Sequence, residues 1–239
     1  MELSSAAGSL SILQDISLEI RPGELLGLVG PSGSGKSSLL RLLNRLQDRT
    51  AGELMFQGHP VEQIPVLELR RQVVLVGQES DLLNMTVSEA LRYPLELRNL
   101  SESAIKQRLQ TWIDRLQLPL DWLQRSALEL SVGQRQRIAV ARGLLTEPQV
   151  LLLDEPTASQ DIGQAERLLH QLQLFVADRQ AAIVMANHQL EWVRDFCHRV
   201  VYLHRGKLAG TWPVEAVEWG RLRQEIAAAE QREQDEWGD

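Results

Sequence analysis

Gly30-Pro31-Ser32-Gly33-Ser34-Gly35-Lys36-Ser37 is the first run in the chain that could do chemistry. It fits G-x-x-x-x-G-K-[ST], a pattern that wraps backbone around phosphate oxygens. Glycines let the N–H groups turn inward, and a helix starting after Gly35 adds unpaired N–H groups and the positive end of its dipole. Lys36 would supply a charge at the β and γ phosphates, and the Ser37 hydroxyl a ligand for Mg²⁺. Ser38 follows in the same first turn. A structural glycine turn is the competing reading. The apolar run Leu25 to Val29 before the loop and the helical pattern Ser38 to Leu43 after it supply the context the phosphate reading requires.

A second constellation is Val150-Leu151-Leu152-Leu153-Asp154-Glu155-Pro156. An apolar run ending in two carboxylates reads as a buried strand that delivers acids to the carboxyl end of a sheet, where ligands bind in open α/β folds. Asp154 is the expected Mg²⁺ holder. Alternation along the strand sends Glu155 elsewhere, toward an attacking water as general base. Pro156 stops the strand. A third is Leu130-Ser131-Val132-Gly133-Gln134. Ser131 is a natural N-cap, and Gln134 completes a capping box. The helix then carries Ile138, Ala141, Leu144 and Leu145 at helical spacing and ends at Glu147-Pro148. Such a capped, glycine-containing helix start offers a second anion site, although taken alone it reads better as an ordinary capped helix.

These motifs, in this order, resemble the ABC ATPase family along nearly the whole chain. Gly30 to Ser37 resembles its Walker A, Val150 to Glu155 its Walker B and Leu130 to Gln134 its signature sequence. Gln78 resembles the Q-loop glutamine, Ala158-Ser159-Gln160-Asp161 the D-loop, and His188 the switch histidine. The resemblance implies an α/β P-loop NTPase core with a mostly parallel sheet, an antiparallel β edge and an inserted α-helical subdomain. It implies an ATPase with ATP and Mg²⁺ as cofactors. Two copies would pair head to tail, with Ser131, Gly133, Gln134 and Asp161 of one meeting the ATP held by the other. Gln78 would sense metal and water, and His188 would contact the γ-phosphate and orient Glu155. The implied partners are a second nucleotide-binding subunit and an integral membrane permease, at the cytoplasmic face of the membrane.

Three positions depart from the family pattern. Val132 stands where a glycine is usual, and Gln160 where a leucine is usual in the D-loop. The aromatic residue that stacks on adenine should fall near Ser5, yet no aromatic precedes Phe56. Either the natural start lies upstream or adenine is held without stacking, and a weakened adenine preference is expected. The stretch Thr86 to Asn99, with Leu118-Pro119 and Trp122-Leu123, is similar to ATPase subunits of two-component metal (iron) export systems. Phosphate and amino-acid importers share much of it. A non-transport ABC ATPase and a nucleotide-binding regulator remain as other classes. Long coiled coils are missing for the first, and an intact Glu155 opposes the second.

The elements that must hold these residues follow from periodicity. Apolar runs at Ile16 to Ile20, Leu25 to Val29, Val73 to Val76, Val150 to Leu153, Ile183 to Ala186 and Val200 to Leu203 predict strands buried on both faces. Helical patterns fall at Lys36 to Leu46, Val87 to Leu97, Glu102 to Leu116, Val132 to Leu145, Ile162 to Asp178 and Gln189 to Phe196. The alternation predicts an α/β fold with crossovers. Residues 1–79 and 131–213 then form the core, 80–130 the helical subdomain and 214–239 a solvated helical tail. The 239 residues and 44% hydrophobic content suffice for a substantial core. The net charge of −7 argues against a nucleic-acid partner. Cys197 alone forms no internal disulfide, and no apolar run reaches the ~18 residues that span a bilayer. The start of the chain shows no signal-peptide pattern. His59, His170, His198 and His204 carry no chemical reading.

Overall fold

A computed structural model describes residues 3–4, 11–79 and 82–237. A short antiparallel pair, β1 (Leu3–Ser4) and β2 (Ser11–Leu13), leads into β3 (Leu25–Val29) and α1 (Lys36–Leu43). A small hairpin, β4 (Met55–Phe56) and β5 (His59–Pro60), precedes α2 (Val66–Gln72) and β6 (Val73–Val76). Next come α3 (Val87–Glu96), α4 (Glu102–Arg115) and α5 (Val132–Leu145). Then follow β7 (Val150–Asp154), α6 (Ile162–Arg179), β8 (Ala182–Ala186) and α7 (Leu190–Phe196). The antiparallel pair β9 (Arg199–His204) and β10 (Lys207–Pro213) and the helix α8 (Trp219–Trp237) complete the chain.

The main sheet has six strands in the order β10-β9-β3-β8-β7-β6. All neighbours are parallel except β10, which runs antiparallel at the edge. The apolar runs explain this. Every residue of β3 and β8 is buried, as a strand covered by helices on both faces requires. β10 alternates exposed and half-buried residues instead, which suits an edge with one wet face. One face of the sheet packs on α1 through Leu39, Leu40 and Leu42. The other packs on α5 and α6 through Ile138, Leu144, Leu168 and Phe175. Helices α3 and α4 lie against α5, and their Leu91, Leu95, Ile105 and Trp112 join the same core. Between residues 82 and 130 the only described β contact is a lone bridge, Thr86 to Ser126.

Two expectations fail. Ile16 to Ile20 is not a strand. β3, the strand it leads into, already has β8 and β9 as neighbours, so no place beside β3 is open to the segment. It lines a cavity of about 900 Å³ instead, with Arg199 donating to the Glu19 carbonyl. The first helix stops at Leu43 rather than Leu46, because Asn44 caps it and Arg45 turns to φ 56°. The tail does form a helix, but it is not simply solvated. Leu222 and Ala229 are buried, and Ile226 packs on the core.

Candidate functional site

Strand order assembles the site. β3, β8, β7 and β6 are consecutive neighbours, and all run the same way. The residues that follow them therefore line up along one edge: the 30–38 loop, His188, Asp154–Glu155 and Gln78. Four motifs far apart in sequence become adjacent because four strands are.

The loop is built by glycine. Gly30 has φ 153° and lies so close to β9 that a Cβ there would sit 2.1 Å from the Leu203 carbonyl oxygen. Gly33 and Gly35 have φ 75° and 101°. Gly35 is the N-cap of α1 and has no side chain to offer, so the cap residue itself does not occupy the first-turn N–H groups. Pro31 is buried, whereas Ser32 and Gly33 face solvent. Lys36 is 6% exposed, and its Nζ donates to the carbonyls of Gly30 and Pro31 at 2.8 Å each. The Ser34 backbone is pinned, its carbonyl accepting from the Gly206 N–H at 3.0 Å. Its hydroxyl is fully buried with no hydrogen-bond partner among the described residues. A concave run of N–H groups, a lysine folded across it and an orphaned hydroxyl fit a phosphate chain.

Beside the loop, Asp154 ends β7 and is 5% exposed. Glu155 leaves the strand at φ 53°, held by its N–H donating to the Ala186 carbonyl at 3.0 Å. That left-handed turn sends its side chain along the sheet edge. Glu155 Oε1 meets His188 Nε2 at 2.8 Å, and Oε2 faces the Gln78 amide at 3.5 Å. The three residues expected to act on water thus converge on one carboxylate.

Two positioning residues escaped the sequence reading. Asn187 is buried, and its Nδ2 donates to Thr157 Oγ1 at 2.9 Å. Its own N–H donates to the Leu28 carbonyl, and its Oδ1 accepts from the Gln189 N–H. Asn187 therefore ties the His188 loop to β3 and to the turn after Glu155. The only signal was an asparagine directly before the histidine, and its partner Thr157 sits 30 residues away. Gln136 is buried in α5 with its Nε2 3.5 Å from the Gly77 carbonyl, next to Gln78.

The helix start at 131–134 stands apart. Ser131 Oγ accepts from the Gln134 N–H at 3.2 Å, and the Gln134 Oε1 accepts from the Ser131 N–H at 2.8 Å. This is the expected capping box. Its hydrogen bonds stay within the helix start and do not reach the phosphate loop. A Cβ on Gly133 would lie 2.1 Å from the Ser159 carbonyl oxygen, so glycine there is a packing requirement. Val132 is 57% exposed and is accommodated without clash on its own chain. Gln160 turns its amide inward to the Pro156 carbonyl at 2.8 Å. Asp161 caps α6, accepting from the Gln164 N–H at 2.9 Å. The remaining histidines hold structural places. His198 Nδ1 accepts from the Leu25 N–H, His170 packs on Phe196, His204 stacks on Tyr202 and His59 contacts the Gln57 carbonyl. The adenine-stacking position near Ser5 lies outside the described residues.

Comparison with known proteins agrees with the geometry. The sequence profile of the ABC transporter family matches residues 13–158. The chain is 35% identical over 202 residues to the methionine import ATP-binding protein MetN of Francisella tularensis, covering 83% of this chain and 57% of that protein. It spans little more than half of that relative. It is 34% identical to the glutamine transport ATP-binding protein GlnQ of Geobacillus stearothermophilus, over 87% of each chain. Among solved structures it matches the ATP-binding cassette MJ0796, a dimer in a post-hydrolysis state bound to ADP and Pi. The TM-score is 0.81 at 26% identity, covering 90% of this chain and 96% of that one. These relatives are named for amino-acid transport, and neither is a metal exporter. The metal-export reading of Thr86 to Asn99 thus has no support from them, and the stretch forms α3. Thr86 caps the helix, and Val87, Ala90, Leu91 and Leu95 are its buried stripe. With the phosphate loop, the paired carboxylates and the capped helix start arranged as described, the chain belongs to the ABC transporter family as one of its nucleotide-binding cassettes.

Proposed function

We propose that this chain binds and hydrolyses ATP to drive a transporter whose membrane-spanning part is a separate subunit. The carrying observation is the Glu155 carboxylate, held between His188 at 2.8 Å and Gln78 at 3.5 Å at the strand end beside the phosphate loop. The N–H groups of Gly33 to Ser38 would cradle the phosphates, and Ser34 Oγ would gain its missing partner. Lys36 would exchange the Gly30 and Pro31 carbonyls for phosphate oxygens. Ser37, Asp154 and Gln78 are the residues that would hold Mg²⁺. No cluster of three His, Cys, Asp or Glu exists among the described residues, which suits a cation bound by one or two side chains and phosphate. When bound, Mg²⁺ neutralises charge that develops on the phosphates. Glu155 would accept a proton from the attacking water, with His188 Nε2 holding the carboxylate in place.

Ser131, Gly133, Gln134 and Asp161 lie on a helix start and cap whose bonds are internal. They would serve the nucleotide of a second copy, closing a dimer that ATP binding favours and hydrolysis releases. Residues 80–130 would receive the permease, with 1–79 and 131–213 as the core. Among the described residues no helix is long and apolar enough to cross a membrane, so attachment at the inner membrane face would come through that partner. The names of the relatives favour amino-acid uptake over metal export as the transport class.

The test is a steady-state phosphate-release assay with the Glu155→Gln variant. Wild type should turn over with Mg²⁺-ATP, and the variant should fall by at least ~100-fold while it accumulates as an ATP-bound dimer on a sizing column. Rapid turnover by Glu155→Gln removes the base assignment. A variant that stays monomeric when loaded with ATP, even with its membrane partner present, removes the shared-nucleotide reading.

A further inference from the structure

We infer that helix α8 is a positioning element for the nucleotide site, with Arg223 holding the loop that carries His188. This rests on the ATPase reading above. The residues of α8 that face the body are Leu222, Ile226 and Ala229, at helical spacing, while Arg221, Gln224, Glu225 and Ala228 face solvent. Docked this way, α8 brings Arg223 onto Glu191 in an ion pair. Glu191 is in the first turn of α7, three residues beyond His188.

The helix and the loop border an open cleft of about 360 Å³ whose lining includes Gly30, His188, Gln189, Glu191, Arg223 and Glu230. One wall of this space is thus the first glycine of the phosphate loop, and another is the switch histidine. His188 has two anchors. On the strand side, buried Asn187 bonds Thr157 and the Gln189 N–H. On the helix side Leu190 and Val193 hold α7 in the core, but the polar contacts nearest the loop lie at the surface. Gln189 contacts Trp192 and Glu191 contacts Arg223, both at the surface. Removing the α8 contact leaves α7 its apolar packing but takes the ion pair from its first turn, next to the loop. The Nε2 to Glu155 geometry would then be sampled less often. Binding of phosphate at 30–38 would be little changed, because α8 contributes no group to that cradle.

An exposed ion pair shifts such an equilibrium modestly. Arg223→Glu should lower kcat by about threefold with KM for ATP changing less than about twofold. In nucleotide-free protein it should speed amide exchange at residues 188–196. The swap Glu191→Arg with Arg223→Glu should restore both. Ile226→Asp, which undocks α8, should give the same pattern more strongly. Unchanged kcat and unchanged exchange at 188–196 in both Arg223→Glu and Ile226→Asp would overturn the inference. A joint loss of kcat and KM, or a swap that rescues neither readout, would also do so. The exchange experiment needs no turnover. A wild type that fails to hydrolyse ATP would therefore count against the ATPase reading alone.

Discussion

Glu155 shows how much a single backbone torsion decides. A carboxylate continuing the strand would point into a packed face. At φ 53° it leaves the strand and reaches His188 and Gln78. Strain of this kind persists only where its surroundings hold it, here the Ala186 carbonyl. Lys36 is pre-placed in the same sense. It is already buried across its loop, so Lys36→Ala should weaken ATP binding by about 10- to 100-fold in a fluorescent-nucleotide titration, with the fold intact by circular dichroism. Asn187→Ala leaves the Thr157 hydroxyl buried without its donor and frees the His188 loop. It should lower kcat more than it raises KM, measured side by side with Thr157→Val. Cys197 is at the other extreme. Burial pushes its thiol up, so it should resist thiol reagents until the protein is unfolded, as a timed labelling assay in and out of denaturant would read.

At the level of elements, α5 and β3 carry the site through their ends. The capping box of Ser131 and Gln134 fixes where α5 begins. Gly133 then lets that start press against the 157–160 turn. Gly133→Ala should destabilise by roughly 1–3 kcal/mol, read as a fall in melting temperature, because the partner atom is backbone and cannot swing away. Ser131→Ala should cost about 1 kcal/mol by the same assay. The base of the sheet is tied by Glu24 and Arg199 at 2.6 Å. Burial alone would raise the Glu24 carboxyl, but the Arg199 hydrogen bond and charge outweigh it and hold the group below the usual carboxylate range. A carboxyl depressed in the folded state contributes stability at neutral pH and loses it as pH falls through its folded value. Glu24→Gln should therefore lower the melting temperature at pH 7 and converge on wild type in strongly acidic buffer.

For the whole molecule, most element types were legible from the residue pattern alone. The runs at Leu25, Val73, Val150, Ile183 and Val200 became the parallel strands, because a strand covered on both faces must be apolar at every position. Val132 to Leu145 began and ended where its cap and its Glu147-Pro148 terminus placed it. Ile16 to Ile20 was misread because periodicity reports a residue's preference and not whether the strand beside it already has both neighbours. Strand order was decided only in three dimensions, since β3 meets β8 and β6 meets β7 through residues more than 70 apart. From that order came the meeting of His188, Glu155 and Gln78 and the Asn187 tether. The docking of α8 beside the switch loop came from the same source. Local pattern fixes which surfaces of an element are apolar, but which surfaces meet is settled when all the elements bury them at once.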